Sequence, residues 1–187
     1  MPPAPAPRDR DATEARILAA AERLLIEAGP QGLGVNAVAR AAGTDKQLIY
    51  RYFGGLEGLL TALGERIALW WAARLHGGRD AEPPATYGAL IEGLALRLLA
   101  LLREEPLARR AILFELSDTT GAARTLAAGR SRAFGAWIAA RRGDLTAPEG
   151  VDAAAVNALL VGALSYAALA AERSGTIVGL NAADPAT

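Results

Sequence analysis

The sequence predicts an all-α protein whose amino-terminal part is a helix-turn-helix domain. Three observations predict it. Apolar residues recur at spacings of three and four through most of the 187 residues, and no stretch alternates apolar and polar residues long enough to make a strand. Breaks rich in glycine and proline divide the pattern at Gly29-Pro30, at Gly77 to Ala85 and at Gly143 to Gly150. Between the first two lies Gly34 to Phe53, GVNAVARAAGTDKQLIYRYF, where Ala39, Gly43 and Ile49 have the spacing that two short, tightly crossing helices need.

Taken in order, the first helix is expected from Ala12 to Ala28, with Asp11 and Glu14 in capping-box spacing and Ile17, Leu18, Ala21, Leu24 and Leu25 on one stripe. That stripe is the floor for the next two helices. Alanine at 39 lets the crossing axes touch, and Gly43 takes the left-handed conformation that ends the first of the pair. Asp45 is a good N-cap for the second helix, and Ile49 is its inward knob. Val38, Ala42 and Leu48 add apolar surface. The outward side carries Lys46 and Gln47, then Tyr50, Arg51 and Tyr52. Gln47 is suited to bidentate pairing with adenine, and Lys46, Tyr50 and Tyr52 to phosphate contacts.

Helix 4 is expected from about Leu56 to Leu75, with Leu59, Leu60, Leu63, Ile67 and Trp70 or Trp71 inward. After the Gly77 to Ala85 break, a helix resumes near Thr86 with Tyr87, Leu90, Ile91, Leu94, Leu98 and Leu101 on a face and Arg97 at its margin. Pro106 opens another, since proline is tolerated in a first turn, and it carries Ile112, Leu113, Phe114 and Leu116. A longer helix spans roughly Ala122 to Arg142, with Leu126, Phe134, Trp137 and Ile138. The last runs from Asp152 to Arg173, followed by a tail.

Composition narrows the function classes. Twenty basic residues balance twenty acidic ones, which argues against a nonspecific nucleic-acid coat and leaves room for a positive face confined to one motif. Lys46 is the only lysine among those twenty basic residues. With no cysteine and one histidine, His76, there is no material for a disulfide, a cysteine-based redox centre or a histidine metal cluster. No catalytic constellation or phosphate-cradling glycine loop is present, so neither enzyme activity nor a cofactor is expected. Met1 to Asp11 is proline-rich and charged rather than apolar, and a cytoplasmic location is expected. Ala153 to Ala171 is uncharged and long enough to span a bilayer, but it is rich in alanine and interrupted by Asn157, Ser165 and Tyr166. The reading is no membrane span but a helix buried in protein on nearly all sides.

Ala39 through Leu60 resembles the DNA-binding domain of TetR-family transcriptional regulators. The resemblance implies domains at 1–10 (a disordered arm), 11–55 (helix-turn-helix, motif 34–53), 56–76 (connecting helix 4) and 77–187 (helical effector-binding and dimerisation domain). It implies a homodimer on a double-stranded, palindromic operator, most simply a repressor released by a small apolar or aromatic effector. The alternative keeps the fold as a regulator that is ligand-independent or tuned by a protein partner. Carried onto matching positions, Gly34 and Asn36 open helix 2, while Thr44, Asp45, Lys46, Gln47 and Leu48 face the major groove and Tyr50 and Tyr52 bind phosphates. Effector-pocket candidates are Trp70, Trp71, Tyr87, Arg97, Phe114, Trp137 and Tyr166, with Arg97 as an anion anchor. Dimer-interface candidates are Phe134 and the small series Ala154, Ala158 and Gly162. Two positions depart from the family pattern: Gly34 replaces a serine or threonine, and Gly55-Leu56 replaces a serine-lysine pair. Losing that lysine should lower the salt slope of DNA binding by about one unit.

Overall fold

The computed structural model describes residues 7–76, 83–118, 121–177 and 180–181. Among the described residues eight helices follow in order: α1 Pro7–Ala28, α2 Val35–Ala42, α3 Lys46–Phe53, α4 Leu56–His76, α5 Tyr87–Glu104, α6 Pro106–Ser117, α7 Gly121–Arg142 and α8 Ala153–Arg173. A 3-10 turn at Pro30–Gly32 links α1 to α2. Beyond α8, Thr176–Ile177 pairs antiparallel with Leu180–Asn181, a short hairpin that periodicity over so few residues does not reveal. Most of the arm and of the Gly77 to Ala85 break lies outside the described residues.

α1 begins five residues before the expected Ala12. Proline serves in a first turn because its missing N–H is unsatisfied there in any case. Arg10 then donates to Glu14 at 2.8 Å, one turn on, which supports the early turns. That carboxylate, first by its hydrogen bond and then by its charge, raises the Arg10 guanidinium above its ordinary pKa.

The amino-terminal core is built as the spacing requires. Ile17, Ala20, Ala21 and Leu25 of α1 are buried against Val38, Ala39 and Ala42 of α2 and Ile49 of α3. Gly43 has φ 61° and ψ 42°, and the amides of Gly43 and Thr44 reach back to the carbonyls of Arg40 and Ala39. These reversed bonds satisfy the end of α2 and turn the chain. Asp45 caps α3 by accepting from the Gln47 amide at 2.8 Å. α4 then starts hard against α3. A Cβ placed on Gly58 would lie 1.7 Å from the Phe53 carbonyl oxygen, so only glycine fits this elbow.

The carboxy-terminal core centres on α4 lying along α7. Gly129 of α7 faces Ala68 of α4 so closely that an added Cβ would sit 2.2 Å from the Ala68 Cβ. One turn up α4, Gly64 faces the Ala122 carbonyl. Around this seam Leu63, Ile67, Trp71, Leu126, Ala133 and Phe134 are buried. Trp71 packs edge-on against Trp70 and Phe134, at 5.2 and 5.8 Å between ring centroids. Its buried indole N–H has no hydrogen-bond partner among the described residues.

α8 departs from the expectation of burial on nearly all sides. It leans on α5 and α6, yet Ser165 is its only buried residue, and Val156, Leu159 and Tyr166 are exposed. A sequence tells that a helix is apolar all round, but not that one chain lacks the partners to cover it.

The glycines give a contrast in stability. Gly58→Ala and Gly129→Ala should each destabilise the protein by on the order of 1–3 kcal/mol, as overpacked positions do. Gly135→Ala, in α7 with open space around its Cβ position, should be neutral or stabilise by up to about 1 kcal/mol through helix propensity. Equilibrium urea denaturation of the three variants checks the order.

Candidate nucleic-acid interface

α3 presents its polar groups because its apolar ones are spent inward. Ile49 is fully buried, Phe53 packs on the core, and the side chains of Lys46, Gln47, Tyr50 and Arg51 stand exposed. Positions 46, 47, 50 and 51 follow one stripe of a 3.6-residue helix. On α2, Asn36 and Arg40 are exposed as well. Over residues 34–53 three cations, Arg40, Lys46 and Arg51, stand against one carboxylate, Asp45. That carboxylate is committed to the cap of α3. A chain with no net charge thus carries a locally cationic face beside the exposed start of a helix, which is what phosphates require.

The expected residues divide in the structure. Asp45, Lys46, Gln47 and Tyr50 stand outward at the start and along the stripe of α3, with Thr44 and Leu48 half-buried beside them. Gly34 is the N-cap residue of α2 in extended conformation, without a side-chain cap, and Asn36 is exposed in the first turn. Tyr52 lies about 200° round the helix from Tyr50. It is half-buried, with the Arg10 guanidinium 5.3 Å from its ring centroid. The two phenols therefore lie on different sides of α3. Gly55 has φ 124°, a backbone that side chains rarely adopt, and Leu56 packs on the core. The turn after α3 accordingly offers no side-chain donor at either position.

Residues that sequence reasoning assigned no role hold this face in place. Arg23 of α1 donates to the Ala41 carbonyl at 3.1 Å, tying α1 to the last turn of α2. Arg66 of α4 pairs with Glu22 of α1 at 2.7 Å. Arg110 of α6 donates to the Ile26 carbonyl of α1 and pairs with Glu172 of α8 at 2.9 Å, while Arg109 also reaches Glu172. These partners are 18 to 84 residues apart in sequence. Arg40 and Arg51 were readable, since they extend the exposed stripes of α2 and α3.

The effector-pocket candidates scatter. Trp71 and Phe114 are fully buried and Trp137 nearly so, all three as core. Trp70 and Tyr87 are half-buried on its margin. Arg97 donates to the Arg74 carbonyl at 3.2 Å through Nε and so clasps α5 to α4. Tyr166 is exposed and lines a cleft of about 730 Å³ among α5, α6, α7 and α8. The dimer-interface candidates Ala154, Ala158 and Gly162 are exposed on the same cleft, whereas Phe134 is buried at its floor.

α1, α2, α3 and the start of α4 thus form a helix-turn-helix domain. Residues 17–63 match the amino-terminal domain described as bacterial regulatory proteins, tetR family. An uncharacterized HTH-type transcriptional regulator of Mycobacterium tuberculosis is 47% identical over 51 residues, 27% of this chain and 25% of that protein. The HTH-type transcriptional regulator BetI 2 of Chromohalobacter salexigens is 41% identical over 71 residues, 36% of this chain and 34% of that protein. These matches therefore cover only a quarter to a third of the relatives' length. In three dimensions the likeness extends through the chain. A TetR family protein from Vibrio parahaemolyticus superposes with a TM-score of 0.61 at 23% identity, over 91% of this chain and 92% of that one. SmeT, the repressor of the Stenotrophomonas maltophilia multidrug efflux pump SmeDEF, gives 0.60 at 21%, over 89% and 81%. The sequence match to the TetR family thus lies in the amino-terminal domain, and over the rest of the chain the likeness is one of fold.

Lys46→Ala and Tyr50→Phe should fold as the parent does, because both side chains are exposed, and each should bind duplex DNA more weakly. Lys46→Ala should also reduce the slope of log K against log salt by about one unit. Fluorescence anisotropy across a salt series checks both.

Proposed function

We propose that this protein is a sequence-specific DNA-binding transcriptional regulator, acting as a two-fold dimer on a palindromic operator, and that it represses until a small molecule releases it. The observation that carries the reading is the exposed cationic stripe of α3, seated in a domain that matches the TetR family. One recognition helix reads only a few base pairs. Two helices held about one helical turn apart read enough to select an operator among a genome's competing sites.

The exposed face of α8 supports the dimer. Val156, Leu159 and Tyr166 of α8 and Leu116 of α6 are large apolar side chains exposed in a single chain. A second copy that pairs α7 and α8 across the axis would bury them in a four-helix contact. Release by a ligand requires only that it favour the DNA-incompetent state by about 1–3 kcal/mol. α6 offers a route for that signal. Ile112, Glu115 and Leu116 line the cleft, and Arg110 on the same helix holds the last turn of α1.

Sedimentation and selection of bound genomic fragments test the proposal. The wild type should sediment as a dimer and enrich an inverted repeat. Leu159→Arg should give a folded monomer whose operator affinity falls at least about 100-fold, since each half then binds alone. A monomeric wild type that enriches no inverted repeat would refute the reading.

A further inference from the structure

The cleft between α7 and α8 has properties that neither the core nor the DNA face explains. Its volume of about 730 Å³ falls within the roughly 300–1,000 Å³ of small-molecule sites. Every lining residue belongs to α5, α6, α7 or α8, and none to α4. The floor is large and apolar, with Leu94, Ile112 and Phe134 buried. Toward solvent, Ser131 and Gly135 on α7 and Ala154, Ala158 and Gly162 on α8 are small and exposed, and Leu116 of α6 and Tyr166 of α8 are large, apolar and exposed. The small residues let another helix approach the opening closely, and the two exposed apolar side chains are surface that such a helix would cover.

Two polar features select the ligand. Among the described residues the charged ones lining the cleft are Glu115 and Arg130, and they satisfy one another. Arg130 Nε donates to Oε1 at 3.0 Å and Nη2 to Oε2 at 2.6 Å, with the Glu115 side chain 6% exposed. A charged ligand would have to break this bidentate, largely desolvated pair, which is strongly unfavourable, whereas an uncharged one leaves it intact. Asn157 is the second feature. Its side-chain oxygen is buried on the cleft wall without a hydrogen-bond partner among the described residues, and it has the most to gain from a donor brought by a ligand once the amide turns toward the cleft.

We propose that the α7–α8 cleft is a binding site for an uncharged, largely apolar molecule carrying one hydrogen-bond donor, and that the second copy closes its mouth. This rests on the two-fold dimer reading above. Because the site is incomplete in one chain, ligand binding and dimerisation are linked, and each strengthens the other.

The test uses the full chain with N-phenyl-1-naphthylamine as an uncharged fluorescent probe, 1-decanol as a donor ligand, 1-methoxydecane as its donor-free counterpart and decanoate as its charged one. The probe should bind saturably, one per protomer. 1-Decanol should displace it at least 10-fold better than decanoate, and better than 1-methoxydecane. Sedimentation across a dilution series should show 1-decanol lowering the protein concentration at the monomer–dimer midpoint at least 5-fold. In Asn157→Leu the advantage of 1-decanol over 1-methoxydecane should vanish with the fold and the probe site kept. Should that variant not fold, Gly135→Phe, which plugs the mouth from an exposed position, should abolish probe binding instead. Decanoate competing as well as 1-decanol, or an unmoved midpoint, overturns the inference. A dimer that enriches an inverted repeat yet binds no probe overturns it alone and leaves the regulator reading standing. A chain that binds the probe while monomeric and without DNA preference overturns closure by a partner and the regulator reading together.

Discussion

The close approach of α4 to α7 sets the geometry on which the rest depends. Where Gly129 meets Ala68 there is no room for a further Cβ. Neighbouring side chains on both helices can therefore interdigitate along most of their length rather than at one crossing. α4 begins at the elbow after the recognition helix, where Gly58 admits the Phe53 carbonyl. One helix accordingly carries the position of α3 into the carboxy-terminal domain, and α7 fixes where that helix lies. Interiors packed this densely respond by switching between arrangements rather than by bending smoothly.

A second joint works by polar contacts. Arg110 ties α6 to the end of α1 and to Glu172 of α8, and Arg109 reaches the end of α5 through the Leu102 and Arg103 carbonyls as well as Glu172. Each guanidinium satisfies helix-terminal carbonyls that have no partner within their own helix. These pairs are partly solvated, so their role is more to fix orientation than to supply stability. The arrangement places a cleft-lining helix in direct contact with the amino-terminal domain, along a path separate from α4.

Much of this was legible in the sequence, and the reasons are local. The order of the helices followed from periodicity, and the turn at Gly43, the cap at Asp45 and the knob at Ile49 followed from spacing within a few residues. Those features depend on near neighbours. Clasps such as Arg23 to Ala41 and Arg110 to Ile26 were not legible, because arginines joined to distant backbone carbonyls leave no pattern along the chain. The aromatic candidates show the same limit in another form. An apolar ring at helical spacing reads alike whether it fills the core, as Trp71 and Phe114 do, or faces a cleft, as Tyr166 does. α8 was recognised as apolar throughout, but its exposure in one chain became visible only when the other helices were seen to cover just one side.

The proposed function requires two copies of α3 held at a fixed separation in a symmetric pair. The absence of cysteine allows one spin label per protomer, through Arg51→Cys on the exposed side of α3. Electron–electron dipolar spectroscopy on the labelled protein with an inverted-repeat duplex should give one narrow distance distribution, on the order of 34–36 Å plus the reach of the labels. A sample showing no coupling between labels, or a broad distribution that DNA does not sharpen, would contradict the account.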